Sequence, residues 1–294
     1  MLLFYITCVL TLAQAICQAE TTTSVRWFPE KLANGSPCLF TVRAPGARVV
    51  SGMWQNHKLE FTREPESDIW DILAGIDIET KPGTYPLAIS ITFTDGTSQR
   101  LDQTVSVEEA PYKSTTLSVP DKFVAPDPVA LKRIAADRIV KEKAFAHTAS
   151  FSLWSGSFKP PLRSAPSTDS FGTRRVFNGS LASVHRGLDY RAKKGTPVVA
   201  VNSGRIILAR PLYYEGNCVV VDHGQGLMTL YMHLSRFKIA EGARVKRGQI
   251  IGLSGATGRA TGPHLHLGVR WQGAYLDASK LFAIDLPTLP SPKH

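Results

Sequence analysis

Between residues 20 and 112, apolar and polar positions alternate in short runs at 25–28, 39–42, 49–54, 69–72, 87–93 and 104–107. A period of two predicts half-buried strands with one face turned to a core. Turn signals separate the runs at Asn34-Gly35, Pro82-Gly83 and Asp95-Gly96. Asp-Gly between two alternating runs is a strong hairpin signal, because the turn needs positive φ and glycine adopts it without a steric penalty. About seven short strands in this span predict an immunoglobulin-like β-sandwich.

The pattern changes at 113–160. Pro120, Pro126 and Pro128 punctuate a connector, and Asp127 before Pro128 is a good N-cap and first-turn pair. It predicts a helix running to about Phe145 with Leu131, Ile134, Ala135 and Ile139 on one side, packed between two domains. A Gly/Ser/Pro-rich stretch at 155–167 follows. Beyond about residue 170 the signals are again strand and turn, clearest at 198–201, 205–209, 218–222, 228–233 and 250–254. The expected fold is mainly β: an N-terminal sandwich at 20–112, a helical and Pro-rich connector at 113–160, an antiparallel β-sheet domain at 161–287 and a short tail at 288–294.

Residues 1–19 carry no charged side chain, run apolar from Leu2 to Leu12 and end in small-residue cleavage candidates, Ala13-Gln-Ala15 or Cys17-Gln-Ala19. This predicts a signal peptide, and hence an exported protein, periplasmic or extracellular. The run is short of the ~20 apolar residues of a membrane span, so no span is expected in the mature chain. Of four cysteines, Cys8 and Cys17 fall in or beside the signal. Cys38 and Cys218 are expected as two buried free thiols in different domains rather than a bridge.

The net charge of +10 is unevenly placed. Residues 20–112 hold 8 Lys and Arg against 13 Asp and Glu, whereas residues 161–294 hold 18 against 7. A basic half suits a polyanionic partner. With an export signal and no nucleic-acid motif, a cell wall ranks ahead of nucleic acid. The opposed charges, joined by a Pro-punctuated connector, suggest that the first module folds back on the second.

Candidate chemistry sits in His185-Arg-Gly-Leu-Asp189, His233 and His264-Leu-His266. A catalytic zinc takes three protein ligands from His and carboxylate and leaves a position open. Residues four apart on a straight strand lie about 13 Å from each other, so the chain must bend between His185 and Asp189. Gly187 is at the midpoint, where the backbone has the most freedom. His264 and His266 share one face of a strand, so one can bind metal while the other faces the reacting water. No His-Glu-x-x-His occurs, which excludes the helical metalloprotease arrangement. His57, His147 and His294 are read as structural or surface residues, and so is His223, in a turn at Asp222-His223-Gly224.

From Phe171-Gly-Thr-Arg174 through His185-x-Gly-x-Asp189, Asp222-His-Gly-Gln-Gly226, Tyr231-Met-His-Leu234 and Gly242-x-x-Val245-x-x-Gly248-Gln249 to Thr257-Gly-Arg-Ala-Thr-Gly-Pro-His-Leu-His266, the chain resembles the M23 zinc metallopeptidases. These are the lysostaphin-like or LytM-type enzymes that cut peptide bonds in bacterial peptidoglycan. The resemblance covers the last part of the chain and implies an M23-type catalytic domain at 161–287. It also implies one zinc ion (Zn2+) held by His185, Asp189 and His266, with His233 and His264 catalytic and peptidoglycan as the partner. His264 is then the expected base, and His233 the group that stabilises the oxyanion or protonates the leaving amine, unless the roles are exchanged. Two rivals are a LytM-type adaptor that activates an amidase without catalysis, and a D-alanyl-D-alanine-type zinc peptidase. Adaptors typically lack several of these five residues, and the later motifs of the other peptidase differ.

Overall fold

The structure is a computed structural model, and it describes residues 22–117, 126–146, 148–163, 166–177 and 181–288. The expected signal, His147, His294 and the tail beyond residue 288 lie outside the described residues.

The first module contains β1 (Ser24–Phe28), β2 (Leu32–Ala33), β3 (Pro37–Arg43), β4 (Ala47–Trp54), β5 (His57–Glu60), β6 (Thr62–Arg63), β7 (Ile69–Gly75), β8 (Gly83–Phe93) and β9 (Ser98–Glu108). They form two sheets, ordered β1-β3-β7-β6 and β2-β9-β8-β4-β5. Alternation decides which side chains meet: Leu87, Ile89 and Ile91 of β8 are buried together with Phe40 and Ile72 of the other sheet. Phe40 meets Trp54 edge-on at 5.4 Å. β8 and β9 join at the expected Asp95-Gly96 turn, where Gly96 has φ +88°. The strands that the alternation does not reveal, β2, β5 and β6, are two to four residues long, too short to carry a period. β2 pairs parallel to β9, while the other pairings in this module are antiparallel.

β10 (Ser114–Leu117) lies within the connector, and α1 (Pro128–Phe145) follows it. The cap is as read: Asp127 Oδ1 accepts the Ala130 N–H at 2.7 Å. The packed face is not as read. Leu131 and Ile139 are 53% and 63% exposed, whereas Val140, Ala144 and Phe145 pack on Leu208, Leu212 and Cys218. The helix therefore lies on the outer face of the second module's sheet, rotated so that Asp137 and Lys141 also reach that module. Their polar partners, invisible to an apolar count, decide the face.

The second module comprises β11 (Ser167–Asp169), β12 (Arg174–Phe177), β13 (Leu181–Val184), β14 (Leu188–Arg191), β15 (Pro197–Val199), β16 (Gly204–Leu212), β17 (Gly216–Asp222), β18 (Leu227–Leu234), β19 (Arg236–Phe237), β20 (Arg244–Val245), β21 (Ile250–Leu253), β22 (His264–Trp271), β23 (Ala274–Leu276) and the short α2 (Ala278–Phe282). Its main sheet runs β11-β14-β22-β18-β17-β16-β20, with β23 on β22, and a small sheet runs β15-β21-β19. A third sheet, β10-β12-β13, draws the connector into this module. β22 is thus flanked by β14 and β18, the arrangement that assembles the site.

The modules share one core cluster. Across the junction Asp277 N–H donates to Gly35 O at 2.8 Å, Tyr275 N–H to Asp77 Oδ2 at 2.8 Å and Gln225 Nε2 to Glu60 O at 2.9 Å. Arg186 pairs with Glu79 at 2.9 Å, so acidic groups of the first module do meet the basic second one. Cys38 and Cys218 are buried free thiols in separate clusters, and burial pushes both thiols' pKa values well up. Among the described residues no helix is long and apolar enough to cross a membrane.

Candidate metal and catalytic site

β13 ends at Val184, the chain bends through residues 185–187, and β14 resumes at Leu188. The bend brings residues four apart together: His185 Nε2 lies 3.2 Å from Asp189 Oδ1. Gly187 is required there by space, since a Cβ would stand 2.3 Å from His266 Nε2. The antiparallel register of β14 on β22 sets Asp189 opposite His266. His266 Nδ1 then lies 2.8 Å from Asp189 Oδ1 and 3.0 Å from His185 Nε2.

These three atoms suit a cation. His185 Nδ1 donates to Ser170 O at 3.0 Å, so in the neutral ring Nε2 carries a lone pair directed at a carboxylate oxygen. Three potential ligand atoms then converge, an arrangement that a cation between them would satisfy. Ligands about 2.1 Å from a tetrahedral zinc lie about 3.4 Å from one another, a few tenths of an ångström wider than the separations here. Burial alone would raise the Asp189 pKa, but the adjoining His185 and His266 imidazoles outweigh it and hold the carboxyl well below the usual carboxylate range. The group is therefore an anion, as a ligand must be.

The other two imidazoles stand beside this cluster. β18 gains one residue against β17 between Tyr231 and Leu234, a bulge of the kind that re-aims a side chain. His233 sits in it with φ +60°. Its N–H donates to Glu215 O at 2.8 Å and its Nδ1–H to Thr257 O at 2.8 Å. Burial first, then the neighbouring His266 and His264, lower its pKa to about 3. Its ring centroid is 4.7 Å from that of His264 and 6.1 Å from that of His266. His264 donates Nδ1–H to Gly262 O at 2.8 Å, and its Nε2 lies 3.8 Å from Asp189 Oδ1. Both rings are therefore held by a carbonyl at Nδ1 with Nε2 left as the acceptor.

All five residues singled out in the sequence converge. His223 does not join them: buried, it donates Nδ1–H to Ser203 O at 2.7 Å and bonds Thr229 Oγ1 at 2.8 Å, a structural role as expected. His57 packs edge-on against Trp271. Ser170, Gly262 and the Thr257 carbonyl escape sequence reasoning as site residues, because a backbone acceptor has no residue signature. Among the described residues His185, Asp189 and His266 form the one group of this kind able to hold a metal.

A curled antiparallel sheet carrying a His-Asp-His cluster beside two tethered imidazoles is the arrangement of a metallopeptidase domain. Residues 183–278 match peptidase family M23, and the chain carries an M23 peptidase domain. It is 46% identical over 96 residues to peptidoglycan DD-endopeptidase ShyA of Vibrio cholerae, a match covering 33% of this chain and 22% of that protein. It is 48% identical over 105 residues to DD-carboxypeptidase/endopeptidase Mpg of Neisseria meningitidis, covering 36% and 24%. The chain thus matches about a quarter of the length of these relatives. A crystal structure of a Pseudomonas aeruginosa protein described as peptidase M23 aligns with TM-score 0.65 at 27% identity, covering 86% of this chain and 95% of that one.

Proposed function

We propose that the protein is a zinc-dependent endopeptidase that hydrolyses peptide bonds of bacterial cell-wall peptidoglycan, in stem-peptide cross-links or bridges. The observation that carries this reading is the convergence of His185 Nε2, Asp189 Oδ1 and His266 Nδ1 within 2.8–3.2 Å of one another, with His233 and His264 alongside. The name of the Vibrio relative, a peptidoglycan DD-endopeptidase, supports the substrate. Retention of all five residues in one cluster speaks against an adaptor that only activates an amidase. Residues 1–19 would export the chain to the periplasm or cell exterior, and the first module would be an immunoglobulin-like spacer.

Zinc bound by His185, Asp189 and His266 supplies Lewis acidity, polarising a carbonyl and acidifying water. The remaining steps belong to side chains. His233, neutral and with Nδ1–H already given to Thr257, offers Nε2 only as an acceptor and orients the attacking water. His264 is less enclosed, and its Nε2 lies 3.8 Å from the Asp189 carboxylate. It takes the water proton and passes it to the leaving amine.

The test is digestion of purified peptidoglycan of several wall types, with mass analysis of the fragments. Zinc-loaded protein should release fragments cut at peptide bonds, and a chelator should stop this until zinc is restored. A folded, zinc-loaded protein that cuts none of them would overturn the proposal.

A further inference from the structure

We infer that Lys141, on the connector helix and outside the family match at 183–278, is a positioning residue for His233. The inference rests on the catalytic reading above. Both tethers of His233 lead to the hairpin tip between β16 and β17. Its N–H is held by Glu215 O of that tip, and its ring by Thr257 O of the loop that precedes β22.

This loop is itself built on the tip. Arg259 N–H donates to Tyr214 O at 2.8 Å, and Asn217 N–H donates to Thr257 Oγ1 at 2.9 Å. Gly216 and Gly258 allow the two backbones to touch: a Cβ on Gly216 would stand 2.3 Å from Thr257 C, and one on Gly258 2.2 Å from Gly216 N. Where the tip sits therefore decides where the His233 ring sits.

The tip is fixed from outside by α1. Lys141 Nζ donates to Glu215 Oε1, with the two side chains 28% and 14% exposed. One turn earlier Asp137 Oδ2 accepts the Tyr213 N–H at 2.6 Å. Burial opposes the charge of Lys141, but the Glu215 carboxylate outweighs it and leaves the ammonium's pKa raised. The pair is sheltered enough for its loss to matter, unlike an exposed pair such as Arg138–Glu142. These contacts also account for the exposed Leu131 and Ile139, because the helix turns its polar residues to the tip.

The experiment uses the full chain, zinc-loaded, on soluble cross-linked muropeptides purified from peptidoglycan. Lys141→Met should lower kcat about tenfold with KM nearly unchanged, as expected for a small misplacement of a catalytic group. Zinc content should stay at the wild-type level, and the His233 imidazole resonances should move in NMR spectra. Lys141→Arg, or the exchange Lys141→Glu with Glu215→Lys, should restore most of the rate. Asp137→Ala tests the second tie should Lys141→Met fold poorly. Unchanged kcat and His233 resonances in a folded variant, or a loss of rate that only tracks the folded fraction, would overturn the inference. A wild-type chain that cuts nothing would instead count against the proposed function, and the His233 resonances would still decide the tether.

Discussion

At Gly187 there is room for a hydrogen and for nothing larger, because a Cβ would stand 2.3 Å from His266 Nε2 and 2.7 Å from Leu267 O. The two histidines of β22 differ in the same structural terms: His266 Nδ1 points into the ligand cluster, whereas His264 Nε2 reaches no closer than 3.8 Å to Asp189 Oδ1. His266→Ala should therefore lose the metal, while His264→Ala should keep most of it and lose activity. Gly187→Ala should resemble His266→Ala, since the new methyl must push the ligand ring aside. Metal analysis of the three purified variants tests this, and equal metal loss in the two histidine variants would reverse the assignment of the pair. The bend at Gly187 is legible in the sequence, because an HxxxD pair cannot reach one ion from a straight strand. Its tight fit against His266 is not, since that contact comes from a residue 79 positions further along the chain (266 − 187 = 79).

Among the elements, the turn joining β17 to β18 carries a titratable group that the reaction does not use. His223 is fully buried, and burial, only partly offset by the bond to Ser203, lowers its pKa from 6.5 to about 4. The folded state thus binds a proton less readily than the unfolded chain. Its contribution is fully present above about pH 6.5 and is lost as pH falls toward 4, amounting to about 3 kcal/mol at most. Asp222 beside it works in the opposite direction, because burial raises its carboxyl despite N–H donors from Ala149 and Gly224. Denaturant unfolding of wild type and His223→Gln at pH 7.5 and pH 4.5 separates the two. Wild type should lose more stability than the variant across that interval, and equal losses would refute the account. The turn itself is legible in Asp222-His-Gly. Alternation likewise identifies the long strands β3, β4, β7, β8 and β9, and the cap identifies α1. The packed face of α1 is misread because apolar spacing ignores Asp137 and Lys141, whose partners lie 76 and 74 residues away.

For the molecule as a whole, charge separates the two modules more than fold does. Residues 161–294 carry 18 Lys and Arg against 7 Asp and Glu, and residues 20–112 carry 8 against 13. Part of the acidic excess is used at the junction, where Glu79 meets Arg186 next to His185. Much of the basic excess is solvent-facing, as at Lys193, Lys194, Lys246 and Arg247. Exposed charges of one sign attract an anionic polymer over distances set by salt, about 10 Å at 0.1 M and about 3 Å at 1 M. His185 and Asp189 are buried and are screened much less. Hydrolysis of intact wall should therefore fall steeply between these concentrations, while hydrolysis of a short neutral peptide carrying the same scissile bond should change little. Rate measurements on both substrates across a salt series make the comparison. A parallel decline would mean that salt acts on the fold or the catalytic groups, and that the basic surface does not recruit the wall.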